Sequence, residues 1–122
     1  MDITRNKFKN EAVVKIEGVG EVGFKFGTAQ QLKFIELEGL LDTADDLQKL
    51  EQRLKESRPK TLVNFYLSAA ISYCKFHNLP TPDHDQICNV IDVLGNNDEI
   101  TKTAFLNADD PNQAAPQMSE GQ

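Results

Sequence analysis

The residue types that could support metal or thiol chemistry all lie in one short part of the sequence. Cys74, His77, His84 and Cys88 are the only cysteines and histidines of the chain. Cys-x2-His followed by His-x3-Cys could in principle enclose a tetrahedral zinc ion, so a small metal- or redox-dependent regulatory protein is one alternative function. Packing of the two thiols as small apolar groups on adjacent helices is the preferred interpretation. We therefore predict no metal and no cofactor.

A glycine pattern at residues 18–23, Gly-Val-Gly-Glu-Val-Gly, resembles the loops that bind nucleotide phosphates. In a dinucleotide-binding fold the last glycine must begin a helix whose N-terminus holds the pyrophosphate. Here Phe24-Lys25-Phe26 continues as a strand, so that context is missing. The pattern predicts a turn whose glycines adopt positive φ angles.

Catalytic side chains do not converge elsewhere in the sequence. Cys74 and His77 are three positions apart, but no other feature marks a nucleophilic site around them. Several carboxylates fall on helix faces that we expect to be solvated, namely Glu36, Glu38, Asp45 and Asp46. We predict that the protein is not an enzyme.

Length, charge and hydropathy restrict the class of protein further. A chain of 122 residues is expected to form one domain, and its net charge of −6 argues against nucleic acid as a partner. No apolar run approaches the roughly 20 residues that cross a bilayer, and the N-terminus lacks a secretory signal. We expect an intracellular protein that binds neither nucleic acid nor membrane.

The hydrophobic pattern predicts three regions of different order. Residues 1–11 are polar and are expected to be a flexible arm, residues 12–108 form a single globular domain, and residues 109–122 form a disordered polar tail. Within the domain, the β-branched stretches 12–17 and 21–26 predict a β-hairpin.

Helical periodicity follows the hairpin. Thr28, Thr43 and Thr81 are the expected N-caps of three helices. The segment 61–77 is apolar on most sides, which predicts a helix surrounded by protein. The predicted helices span 28–40, 43–57, 61–77, 82–94 and, as a short fifth element, 99–106. The expected fold is α+β, with the N-terminal hairpin packed on four to five helices and helix 61–77 at its centre.

The predicted core takes the inward positions of these strands and helices. Its members are Val14, Ile16, Phe24, Phe26, Leu32, Ile35, Leu47, Leu50, Leu62, Phe65, Tyr66, Ala69, Ile71, Tyr73, Ile87 and Ile91.

The order of elements and several short motifs resemble one protein family over about residues 12–95. The strand pair ends in Phe24-Lys25-Phe26-Gly27-Thr28, and a helix follows that ends near Glu38-Gly39. An apolar helix carries Tyr66-Leu67-Ser68-Ala69-Ala70, and a Thr/Pro-capped helix follows at 81–94. In these respects the chain resembles the tail assembly chaperones of long-tailed bacteriophages and prophages.

The resemblance implies a protein of the host cytoplasm, absent from the mature virion. Its expected partner is the tape measure protein, which such chaperones keep soluble while the tail tube assembles, and the tail tube protein is a further candidate partner. A structural head–tail component is a second alternative function.

A second apolar stripe on helix 28–40 is the expected partner-binding surface. We predict that Leu32 and Ile35 face the core, which leaves the other large apolar residues of this region for a client or for a second copy of the chain. These residues are Phe34, Leu37, Leu40 and Leu41.

Overall fold

A computed structural model describes residues 2–6, 9–18 and 20–94 of the protein. Three antiparallel strands, β1 (Asp2–Asn6), β2 (Glu11–Ile16) and β3 (Gly20–Lys25), form a sheet in the order β1-β2-β3. The described residues then form four helices: α1 (Thr28–Leu37), α2 (Ala44–Lys55), α3 (Pro59–His77) and α4 (His84–Leu94). The predicted α+β class is confirmed. The proposed fifth helix, 99–106, and the polar tail lie outside the described residues.

The predicted hairpin consists of β2 and β3. Ala12 lies opposite Phe24, and Ile16 lies opposite Gly20. Gly18 and Gly20 flank the turn with φ angles of 85° and 107°, a region that glycine adopts without the penalty a Cβ atom would bring. The glycine pattern therefore serves the turn, as predicted.

Strand β1 corrects the prediction that the N-terminal segment is a loose arm. Residues 2–6 pair in register with β2, with Ile3 opposite Val14, and Glu11 begins β2. Ile3 is half-buried and the other four residues of β1 are exposed, so the segment has little hydrophobic signal. Its order comes from backbone hydrogen bonds to the edge of β2, which any sequence without proline can make.

Helix α3 is the central element of the domain, as predicted. It packs against β3 on one side and against α1 and α4 on others. Phe65 and Tyr66 lie in its middle and are buried, and their rings lie 5.4 Å from those of Phe26 and Phe24, respectively. Aromatic contacts at this separation join the sheet to the helix.

The predicted core is correct at its centre and wrong at its edge. Nine of its members are buried: Val14, Ile16, Phe24, Phe26, Ile35, Phe65, Tyr66, Ala69 and Ile87. Five more are half-buried: Leu50, Leu62, Ile71, Tyr73 and Ile91. Leu32 and Leu47 are exposed, and both belong to helices that border a groove described below.

The helix caps differ from prediction at two of three positions. The backbone N–H of Asp46 donates to Thr43 Oγ1 at 3.2 Å, which confirms the cap of α2. Thr28 lies inside α1, whose N-cap is Gly27. Asp83, not Thr81, caps α4, because its carboxylate accepts from the N–H of Gln86 at 2.8 Å.

Gly23 provides a test of how closely β3 approaches α3. A Cβ atom at this position would overlap the ring of Tyr73. We expect Gly23→Ala to lower the free energy of unfolding by about 1–3 kcal/mol, because the ring must move to make room. Urea denaturation in the wild-type and Tyr73→Ala backgrounds tests the cause. The penalty should shrink in the Tyr73→Ala background, and an equal penalty in both would contradict a clash with this ring.

Candidate functional site

An apolar groove separates α1 from α2, with α3 as its floor. It encloses about 450 Å³, which is in the size range of sites that accept small apolar groups or a few side chains. Its apolar lining comes from all three helices: Leu32, Ile35, Leu47, Leu50, Leu54 and Phe65. The groove is therefore a surface for burying apolar groups, and we take it as the candidate functional site.

The two walls of the groove expose leucines to solvent. Leu32 on α1 is 56% exposed, and Leu47 on α2 is 41% exposed. Both side chains border the same groove, so each has apolar neighbours although it is exposed. Exposed leucines at the rim of an apolar groove mark a surface that gains free energy when another apolar surface covers it.

The polar lining of the groove comes from α1, from α2 and from the loop between them. Gln30 is buried, and its Nε2 donates to Ser68 Oγ on α3 at 3.1 Å. Thr28, Asp42 and Glu51 also border the groove. The rim carries acidic side chains, so it favours a bound segment whose flanking residues are basic.

The predicted partner-binding residues do not form one exposed stripe. Phe34 is only 3% exposed, and its ring packs edge-on against Phe65 at 5.4 Å, so it is a core residue. Leu37 and Leu40 are half-buried, and Leu41 is 69% exposed. The prediction is thus wrong for Phe34 and Leu32, which exchange sides, and correct for Ile35, which is buried.

The exchange of sides has a physical cause. Helix α1 carries large apolar residues over most of its surface, so periodicity alone leaves its orientation undecided. Buried hydrogen bonds decide it, because Gln30 must face Ser68 on α3. Leu32, two positions later, then points away from α3, and Phe34 points toward it. The sequence signal that was available is a thin line of polar residues along the otherwise apolar helix 61–77, namely Asn64, Ser68, Ser72 and Lys75.

Two members of that polar line form a seam between α3 and α1. Asn64 and Ser68 are both buried. Asn64 Nδ2 donates to the carboxylate of Glu38 at 2.6 Å and to the carbonyl of Leu37 at 3.3 Å. Together with the Gln30–Ser68 bond, these contacts fix the α1 wall of the groove relative to its floor.

Glu38, the C-cap residue of α1, joins α1 to α2 and α3 and corrects the expectation of a solvated carboxylate. Its side chain is 2% exposed. Thr61 Oγ1 donates to Oε1 at 2.8 Å, and Arg53 Nη1 of α2 donates to the same oxygen at 3.2 Å. With Asn64 on Oε2, the carboxylate has a donor from α2 and two from α3.

These donors also set the charge state of Glu38. Burial acts to raise the pKa of this carboxyl, but hydrogen bonds from Asn64, Thr61 and Arg53, together with the positive charge of Arg53, hold the pKa below its ordinary value. Glu38 is therefore ionised at neutral pH and acts as a structural anion. The missed signal is only its position near the end of a helix, which does not by itself predict burial.

The cysteines and histidines do not come together as a four-residue set. Cys74 is buried on α3, where burial raises the pKa of its thiol. His77 Nε2 lies 2.9 Å from Glu11 Oε2 on β2, whereas His84 Nδ1 lies 3.7 Å from Cys88 Sγ on the surface of α4. Among residues 2–6, 9–18 and 20–94, no three His, Cys, Asp or Glu side chains are arranged to hold a metal ion.

No helix in the described part of the chain is long and apolar enough to cross a membrane. No protein-family model, curated protein or solved structure matches the chain significantly. The chemistry of the groove and the order of the elements therefore carry the functional argument.

Proposed function

We propose that this protein is a bacteriophage tail assembly chaperone that binds the tape measure protein and keeps it soluble during assembly of the tail tube. The apolar groove between α1 and α2 is the observation that carries the proposal. The order of elements and the motifs that resemble the family support it. On this proposal the protein acts in the host cytoplasm and leaves before the virion is complete.

The client of such a chaperone has a chemistry that suits the groove. Long helices that later pack inside a tube carry apolar stripes, which aggregate if they are exposed to water before assembly. An apolar stripe of a helix binds a groove through a few anchor side chains spaced along one face. Leu32 and Leu47 offer such anchors an apolar rim, and Phe65 offers them a floor.

Charge supports the same role. The chain carries a net charge of −6, which keeps a body with exposed leucines dispersed. Asp42 and Glu51 on the groove border favour client segments in which basic residues flank the apolar anchors. Such segments are expected to bind more weakly as the salt concentration rises.

Substitution of the exposed leucines tests the proposal without disturbing the core. We expect Leu32→Asp with Leu47→Asp to reduce the amount of tape measure protein that co-purifies by at least about tenfold, since each buried leucine contributes about 1.5–3 kcal/mol. The test co-expresses this chain with the tape measure protein, which the proposal expects a neighbouring gene to encode. The measurements are client solubility and co-purification, with circular dichroism to confirm that the variant folds.

The matched control places the same charges elsewhere. Leu79 and Val93 are exposed leucine and valine side chains that do not border the groove. Leu79→Asp with Val93→Asp should retain the client. Client retention by the folded groove variant at the wild-type level would contradict the proposal. A change in its mass on size exclusion, with no client lost, would show instead that the groove holds a second copy of the chain.

A further inference from the structure

Helix α2 is attached to the domain differently from the other described helices. Helices α1, α3 and α4 each contain buried residues, whereas none of the residues of α2 is buried. Helix α2 nevertheless forms one whole wall of the apolar groove through Leu47, Leu50 and Leu54. We propose that α2 is a hinged lid, which swings away from α1 and α3 to open the groove while the rest of the domain stays folded.

A polar latch formed by Arg53 and Glu38 holds the C-terminal half of the lid. Arg53 Nη1 donates to both the backbone carbonyl and the carboxylate of Glu38, each at 3.2 Å. Leu50 and Leu54 add contacts with the core and remain partly exposed. The contacts that close the lid include this charge-assisted pair and two half-buried leucines.

The buried carboxylate of Glu38 keeps part of its hydrogen bonding when the lid opens. When Arg53 leaves, the carboxylate of Glu38 keeps its hydrogen bonds from Thr61 and Asn64, both of which belong to α3. The guanidinium of Arg53, already 30% exposed, passes into water. Opening therefore removes the counter-charge of Glu38 but leaves its carboxylate with two donors, which lowers the cost of breaking the pair.

Both ends of α2 contain backbone suited to a hinge. Gly39, between α1 and α2, has a φ angle of 70°, and Ser57, between α2 and α3, has a φ angle of 51°. The N-terminal cap of α2 is internal, because Thr43 accepts from the N–H of Asp46 within the same segment. Asp46 in turn accepts from the N–H of Leu41 in the connecting loop. The lid thus carries its own capping contacts when it moves.

Admission of a client helix through this opening rests on the proposed function, whereas the opening itself does not. Hydrogen exchange of the full chain, followed by mass spectrometry without any client, tests the opening alone. A 12-residue helix that has left its packing partners is marginal in water, so we expect α2 to fray when it opens and its amides to exchange. Exchange in α3, whose central residues are buried, should be slower. Because no client is present, this experiment can contradict the lid without contradicting the proposed function, and loss of client binding can contradict the proposed function without contradicting the lid.

Arg53→Met tests the latch, because it removes the cation and its donors but keeps an unbranched apolar stem. We expect exchange in α2 to accelerate by about tenfold, with exchange in α1 and α3 unchanged. Arg58→Met is the matched control, since Arg58 pairs with Glu56 on the exposed surface after α2. It should leave exchange in α2 at the wild-type rate.

Two outcomes would contradict the proposal that α2 is a lid. Wild-type α2 and α3 could exchange at the same rate, which would place both helices in one cooperative unit. Alternatively, Arg53→Met could accelerate all helices equally, which would make Arg53 a general stabilising residue. The comparison of exchange rates in α2 and α3 of the wild type tests the proposal even if the Arg53→Met variant does not fold.

Discussion

Phe24→Ala is expected to lower the free energy of unfolding by about 3–5 kcal/mol, the typical loss for removing a buried phenyl ring. Phe24 is fully buried on β3, and its ring meets that of Tyr66 edge-on at 5.4 Å. The substitution leaves a cavity between the sheet and α3 that neither rigid element can close. A loss of this size is a large part of the total of about 5–15 kcal/mol that stabilises a domain.

Urea denaturation followed by circular dichroism measures this loss. Val93→Ala is the control, because Val93 on α4 is half-exposed and its truncation should change the unfolding free energy by no more than about 0.5 kcal/mol. Equal, small effects of the two substitutions would mean that the sheet does not pack on α3 as described.

Glu38→Ala is expected to produce a loss of about 3–5 kcal/mol by a different mechanism. The substitution removes the carboxylate that Arg53, Thr61 and Asn64 share, so the charge of Arg53 loses its partner and each donor loses a charge-assisted hydrogen bond. Glu36→Ala is the matched control, since Glu36 lies two positions away in an exposed pair with Lys33. Removal of such a surface pair costs about 0–1 kcal/mol. Similar losses for the two variants would contradict the role of Glu38.

The same carboxylate gives the stability a defined pH dependence. The pKa of Glu38 in the folded protein lies below the ordinary value of 4.5 that it has in the unfolded chain. Its contribution is therefore present above pH 4.5 and is lost as the pH falls through the lower, folded-state pKa.

Urea denaturation of the wild type and Glu38→Ala across this acidic range tests the linkage. The difference between their unfolding free energies should narrow as the pH falls. A constant difference would mean that Glu38 is not ionised in the native state. The exposed Glu36→Ala variant should instead follow the wild type throughout.

The tertiary structure changes what the proposed chaperone surface consists of. Phe34→Asp would place a charge against Phe65 in the core and is expected to unfold the protein, so it cannot report on binding. Leu32 and Leu47 report on the groove because both are exposed in the folded protein. The proposed function stays a prediction, and the substituted residues that test it are the ones the structure exposes.

The sequence by itself determined the elements whose signals are local. Helix α3 is apolar on most of its surface, so only a central position buries it. Thr43 caps α2 by a contact within three residues, and the glycines at 18 and 20 allow the turn between β2 and β3. The alternation of β2 and β3 specified the hairpin and its contribution to the core, namely Val14, Ile16 and Phe24.

Only the tertiary structure decided the features that depend on distant partners. Glu38 is drawn into the interior by residues 15, 23 and 26 positions away, and nothing in its local pattern distinguishes it from the exposed Glu36. Strand β1 needs the edge of β2, and α1 needs the Gln30–Ser68 bond to select its inward side. The groove follows from that selection, because it turns Leu32 outward beside a helix that has no buried residue of its own.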